Sequence, residues 1–174
     1  MAIYEFNGIR PQIHPTAFVH PLACLIGRVC IEANCYIAPF ATLRGDFGAI
    51  EIGAGSNIQE SCTLHVRHGE VCRLEQNAHI GHGAIVHGAF LERDCLIGMN
   101  SVVMDDVHIG AESIVAASAF VRTGMHVPPR SLVAGLPAAV VRRITDVEID
   151  QKLAATRRYQ ELAADCHRTL RQVD

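Results

Sequence analysis

Residues 91–121 read LERDCL-IGMNSV-VMDDVH-IGAESI-VAASAF-V, and the spacing of their aliphatic side chains decides the fold. Leu91, Ile97, Val103, Ile109, Val115 and Val121 stand six apart without a break. That period fits neither an amphipathic helix nor an alternating strand, and short fixed repeats mark solenoids. The fifth residue of each hexad is small: Cys95, Ser101, Val107, Ser113 and Ala119. A prism of stacked short strands, with rungs ~4.8 Å apart, explains both features. Each hexad then points one aliphatic and one small residue into a narrow interior.

Upstream the frame continues through Ile31, Ile37 and Leu43, then Ile52, Ile58 and Leu64, then Leu74, Ile80 and Val86. It slips after Leu43, Leu64 and Val86. Three hexads make one coil, so every slip falls at the same edge, where loops leave a solenoid. With Ile26 as an earlier hexad start, Cys30, Cys35, Cys62 and Cys95 take the small fifth place as buried thiols. Downstream the prism is expected to end near Val121. Pro128, Pro129 and Pro137 then punctuate a linker containing Gly135-Leu136-Pro137-Ala138. Thr145 and Glu148 form a capping box that opens a helix. The apolar stripe of that helix runs Ile149, Leu153, Leu162, Cys166, Leu170 and Val173, with Tyr159 beside it. The expected fold class is an all-β solenoid, a parallel β-helix over residues 1–144 with an N-terminal cap and an end linker. A C-terminal α-helix over residues 145–174 packs on it.

The composition agrees. Aromatic residues are 5% of the chain with no Trp, as a thin interior requires. A net charge of −3 gives no basic excess to recruit nucleic acid or an anionic membrane. No apolar run approaches the ~18 residues that span a bilayer. The opening Met-Ala-Ile-Tyr-Glu-Phe-Asn has an acid at Glu5 and no apolar core of a signal peptide. Seven cysteines with no CxxC pair point to a reducing compartment, so a cytoplasmic location is expected.

Of ten histidines, phase singles out three. His65 follows Leu64 and His87 follows Val86, so the two should stack one rung apart on an outer face. Arg44 follows Leu43 and takes the same place one coil earlier. His82 is the third residue of a second hexad and leaves from a different face. One chain does not bring all three imidazoles to a point, but two prisms side by side would. Three imidazoles suit a catalytic zinc whose fourth position is left for water. Singly, each also reads as an ordinary surface histidine; their common register with the coil favours the site.

The pattern Arg44-Gly45-Asp46, Asn57-Ile58-Gln59, His65, then Gly81-His82 with His87 resembles the gamma-class carbonic anhydrases over roughly residues 10 to 145. The resemblance implies a left-handed β-helix and a homotrimer with metal at each subunit interface. It implies that His65, His82 and His87 are the ligands of Zn2+, with Fe2+ or Co2+ accepted by the same set. Gln59 would orient a metal-held hydroxide, Asn57 would line the substrate site, and Arg44 with Asp46 would form an interface ion pair. The segments Leu43–Gly48, His79–Gly83 and Gly98–Asp105, with the Tyr159-Gln160 helix, are similar to the phenylacetate-degradation and carnitine-operon group of that family. That likeness implies CO2 hydration, CoA-thioester hydrolysis, or both, on a small-molecule substrate. Glu60 stands where the family usually has Asp, and His68 is the nearest candidate to carry protons from the site. Two other functions share the prism: a hexapeptide-repeat acyltransferase using a histidine base without metal, and a non-catalytic assembly subunit. Fold alone does not separate them.

Overall fold

A computed structural model describes residues 2–173. The six-residue period forms a left-handed parallel β-helix of about seven turns, closed at one end and flanked by a single helix. One face stacks Phe18–Val19, Tyr36–Ile37, Asn57–Ile58, His79–Ile80, Leu96–Ile97, Ile114–Val115 and Ser131–Gly135. A second stacks Thr63–His65, Ile85–His87, Val102–Val103 and Phe120–Val121 above the start of the long strand Thr42–Ile52. The third stacks Val71–Leu74, Phe90–Leu91, His108–Ile109 and His126–Val127 above the end of that same strand.

Each coil contributes one aliphatic side chain per face. Ile37, Leu43 and Ile52 fill one layer, and Ile58, Leu64 and Leu74 the next; all are at most 1% exposed. Full burial of such a side chain contributes roughly 1.5–3 kcal/mol. Between faces the chain turns at residues in the left-handed region, among them Asn77, Asp94, Asn100 and Asp106. Asn and Asp tolerate that conformation, and others there, such as Glu112 and Ser118, cost about 1–2 kcal/mol each. The thiols of Cys35, Cys62 and Cys95 face inward and donate to Gly53 O, Gly81 O and Gly110 O of the next coil at 3.3, 3.1 and 3.2 Å.

Three expectations need correction. The prism does not end at Val121: Val127 and Val133 continue the period at 4% and 0% exposure. The prolines fall at a corner, Pro128-Pro129, and in a hairpin turn at Pro137, where no ladder donor is needed. Ser131–Gly135 pairs antiparallel with Ala138–Arg143, so the supposed linker is a hairpin that caps the last rung. Cys30 is exposed rather than buried, because Leu25, not Ile26, points inward. A register shift between Gly27 and Val29 moves the frame there.

The helix α1, Asp146–Thr169, opens with the expected capping box of Thr145 and Glu148. Its buried face only partly coincides with the apolar stripe: Tyr159 and Cys166 pack against the prism as well as Ile149. Ile149, Lys152, Thr156 and Ala163 are buried, whereas Leu162 is 39% exposed and Leu170 and Val173 lie beyond the helix. Polar contacts hold it to the first face: Lys152 Nζ donates to Asn77 O (2.5 Å) and Gln160 Nε2 to Gly55 O (3.0 Å). Phe18, Tyr36 and Ala38 pack with Ala163, Tyr159 and Cys166 beside them. Among the described residues no helix is long and apolar enough to cross a membrane.

Candidate metal centre

The register places His87 directly on His65, as their phase requires. His65 Nδ1 lies 3.0 Å from His87 Nε2. The outer nitrogens each meet a carboxylate: His65 Nε2 is 3.2 Å from Asp46 Oδ1, and His87 Nδ1 is 2.6 Å from Asp105 Oδ1. Ionised carboxylates only accept hydrogen bonds, so both outer nitrogens carry the proton. In the neutral rings both inner nitrogens are then bare, and two lone pairs face each other at 3.0 Å. That arrangement is repulsive until a cation or a proton sits between them.

The surroundings bear on which. Burial, followed by the Arg44 charge, holds His65 below the usual imidazole value, although Asp46 opposes the shift. Burial pulls Asp46 upward, but the His65 bond and the Arg44 guanidinium bring it below the ordinary carboxylate value. Arg44 Nη1 donates to Asp46 Oδ2 at 2.8 Å within the same chain, so the pair braces the carboxylate that meets His65. Arg67 Nε lies 3.3 Å from Asp105 Oδ1, and its Nη2 donates to Asp106. Two glycines make room for these groups. A Cβ on Gly45 would fall 2.2 Å from Arg28 O, so only glycine lets the chain pass between Arg44 and Asp46. One on Gly88 would fall 2.5 Å from Asp105 Oδ1.

The other predicted site residues gather elsewhere. His82 is exposed at a corner, with Nδ1 2.6 Å from Glu60 Oε2. Gln59 and Asn57 are buried on the helix-covered side, where Gln59 Nε2 donates to Asn57 Oδ1 at 2.9 Å. Gln59 Nε2 also lies 2.7 Å from His79 Nε2. Burial first, then the charges of Lys152 and His82, push His79 down to about 4. Asn57 Nδ2 is buried with no partner among the described residues. His65 and His87 thus lie apart from His82, and among the described residues no three His, Cys, Asp or Glu side chains converge as a metal site. His68 is exposed in the loop after His65, 6.4 Å from the Phe47 ring, which itself lies 5.3 Å from His65.

Sequence reasoning missed Asp105 as the partner of His87, Glu60 as the partner of His82, and the place of His79. Coil register was the available signal. Glu60 and His82 are both third residues of a second hexad, and Asp46 and Asp105 both follow an inward aliphatic of the second face by two or three residues.

Comparison with known proteins places this arrangement. The family model described as bacterial transferase hexapeptide (six repeats) matches residues 88–123. The carnitine operon protein CaiE of Escherichia coli O7:K1 (strain IAI39 / ExPEC) is 48% identical over 172 residues, 99% of this chain and 88% of that protein. The chain belongs to the CaiE family of hexapeptide-repeat proteins. A solved hexapeptide transferase family protein from Anaplasma phagocytophilum is similar at a TM-score of 0.90 and 33% identity, covering 94% of this chain and 97% of that one. A mutant of AntD, an N-acyltransferase from Bacillus cereus solved with dTDP and Coenzyme A, shares the fold at a TM-score of 0.61 and 19% identity, over 88% of this chain and 90% of that one. The CaiE family member described here therefore carries its histidine pair on a scaffold it shares with transferases.

Proposed function

We propose that this chain is a metal-dependent enzyme of the gamma carbonic anhydrase type, acting on the carbonyl carbon of CO2 or of a CoA thioester. His65 and His87 of one subunit and His82 of a neighbour would hold the metal in a homotrimer. The observation that supports this most is the pair of inner imidazole nitrogens facing each other at 3.0 Å, with the ring tautomers set by carboxylates on both outer nitrogens. That donor set fits a divalent ion with a preference for imidazole, such as Zn2+, Fe2+ or Co2+. When bound, the ion would supply a nucleophilic water at neutral pH.

The chain's own groups have definable tasks in this scheme. Asp105 and Asp46 fix the ring tautomers, and Arg44 and Arg67 hold those carboxylates in place. Gln59 would orient the attacking water through its amide, and Asn57 would line the substrate site. Asp105→Asn is expected to weaken metal affinity about 10–100-fold, because an amide sets the tautomer less firmly. Competition against a chromophoric chelator measures it. Unchanged affinity would mean that Asp105 serves only Arg67.

A second reading, an acyl-CoA-dependent acyltransferase, is favoured by the description of the matching family model and by the Anaplasma relative. Such an enzyme uses a histidine as general base and needs no metal at the site. Protein purified without chelator separates the two. The metal-dependent enzyme should hold about one ion per subunit, and its CO2 hydration or acyl-CoA hydrolysis should vanish on chelation and return with zinc. Acyl transfer from CoA that proceeds equally well in chelator would favour the transferase.

A further inference from the structure

We propose that the C-terminal helix sets the direction of the Gln59 amide: Thr156, acting through His79, is a positioning residue that leaves Gln59 Oε1 as the free, accepting end. The inference rests on the proposed role of Gln59 but is carried by a separate set of contacts. In helix α1 the Thr156 hydroxyl donates to Lys152 O at 3.1 Å. Its oxygen therefore turns lone pairs toward His79 Nδ1, 3.3 Å away. A hydroxyl with its only hydrogen committed can do nothing but accept, so His79 Nδ1 carries the ring proton.

The consequence passes through the ring. A neutral imidazole protonated at Nδ1 is an acceptor at Nε2, and the atom 2.7 Å from Nε2 belongs to the end of Gln59 that must donate. The second amide hydrogen of Gln59 goes to Asn57 Oδ1 at 2.9 Å. Both N–H bonds are then used, and Oε1 makes no hydrogen bond among the described residues. The reversed amide would need His79 protonated at Nε2, and Thr156 would have to abandon Lys152 O to donate to Nδ1. The ring is held against turning, since His79 is 8% exposed and meets Tyr159 edge-to-face at 5.3 Å.

Direction matters to the chemistry. A carbonyl oxygen at this place accepts an O–H of the attacking water and leaves the water's lone pair aimed at the electrophilic carbon. An NH2 group there would donate into that lone pair and compete with the attack. Helix α1, lying outside the prism, thus contributes to the site without touching substrate.

The test uses full-length protein labelled with 15N-histidine, with the His79 signals identified by their loss in His79→Gln. The 15N shifts should report an Nδ1–H tautomer in the wild type. Thr156→Val removes the acceptor, so the Nε2–H form should gain population, and kcat should fall roughly tenfold with KM little changed. Thr156→Ser should restore both. An Nε2–H tautomer in the wild type, a tautomer ratio unmoved in Thr156→Val, or a moved tautomer with unchanged kcat would each overturn the proposal. If the tautomers behave as expected but neither CO2 nor acyl-CoA is turned over by the wild type, the functional reading fails while the Thr156–His79–Gln59 relay stands.

Discussion

His65→Ala and His87→Ala, purified without chelator, are expected to carry no bound metal and no activity while keeping the fold. The effect should be large because each removes one imidazole of three. Zinc binding by a full protein ligand set is worth on the order of 10 kcal/mol or more, so one ligand accounts for roughly 3–5 kcal/mol, a loss of about a hundredfold to several thousandfold in affinity. The removed group also takes a partner from a carboxylate: without His65, Asp46 keeps Arg44 and the Phe47 N–H, and without His87, Asp105 keeps Arg67. Neither ring reaches the interior, where Leu64 and Val86 supply the packing at 0% exposure. The melting temperature should therefore move little. His108→Ala and His126→Ala, on the third face, should leave metal content unchanged. Elemental analysis with thermal denaturation checks all four, and full metal retention in His87→Ala would contradict the assignment.

The fold and the stacking of His65 and His87 were legible because both depend on phase. A six-residue period fixes which residue points inward, and the neighbour of an inward residue must point outward. Leu64-His65 and Val86-His87 therefore had to stack, and the register pairs them. Partnerships across corners were harder to read. Asp105 reaches His87 only because the coil tightens at Gly88, with φ +54, where the frame runs one residue short.

Other misses have equally local causes. The helix face was misread because it docks through Lys152 and Thr156, polar residues that apolar periodicity ignores. Their burial becomes intelligible only once Asn77 O and His79 are placed beneath them. The end of the prism was set too early because prolines were taken as breaks, although corners accept them. Cys30 was misplaced because the frame was extended backward across Gly27, where the register shifts. His82 lies at a corner, off the face that carries His65 and His87, and its partner Glu60 was visible in the same hexad position one coil earlier.

The claim on which the account turns is that the metal site is shared between subunits, and hybrid trimers test it most directly. His82→Ala retains the His65–His87 face and His65→Ala retains the His82 face, so each homotrimer should be inactive and metal-free. In a cyclic trimer the contact is head-to-tail, with one subunit's face against the next subunit's other face. After the two variants are dissociated, mixed equally and reassembled at random, about one half times one half of all contacts in the mixture have both halves intact. Roughly a quarter of the wild-type metal content and activity should therefore return. Native mass spectrometry establishes that hybrids form. If they form and the mixture remains metal-free and inactive, His82 does not complete the site of a neighbour, and the shared centre is wrong.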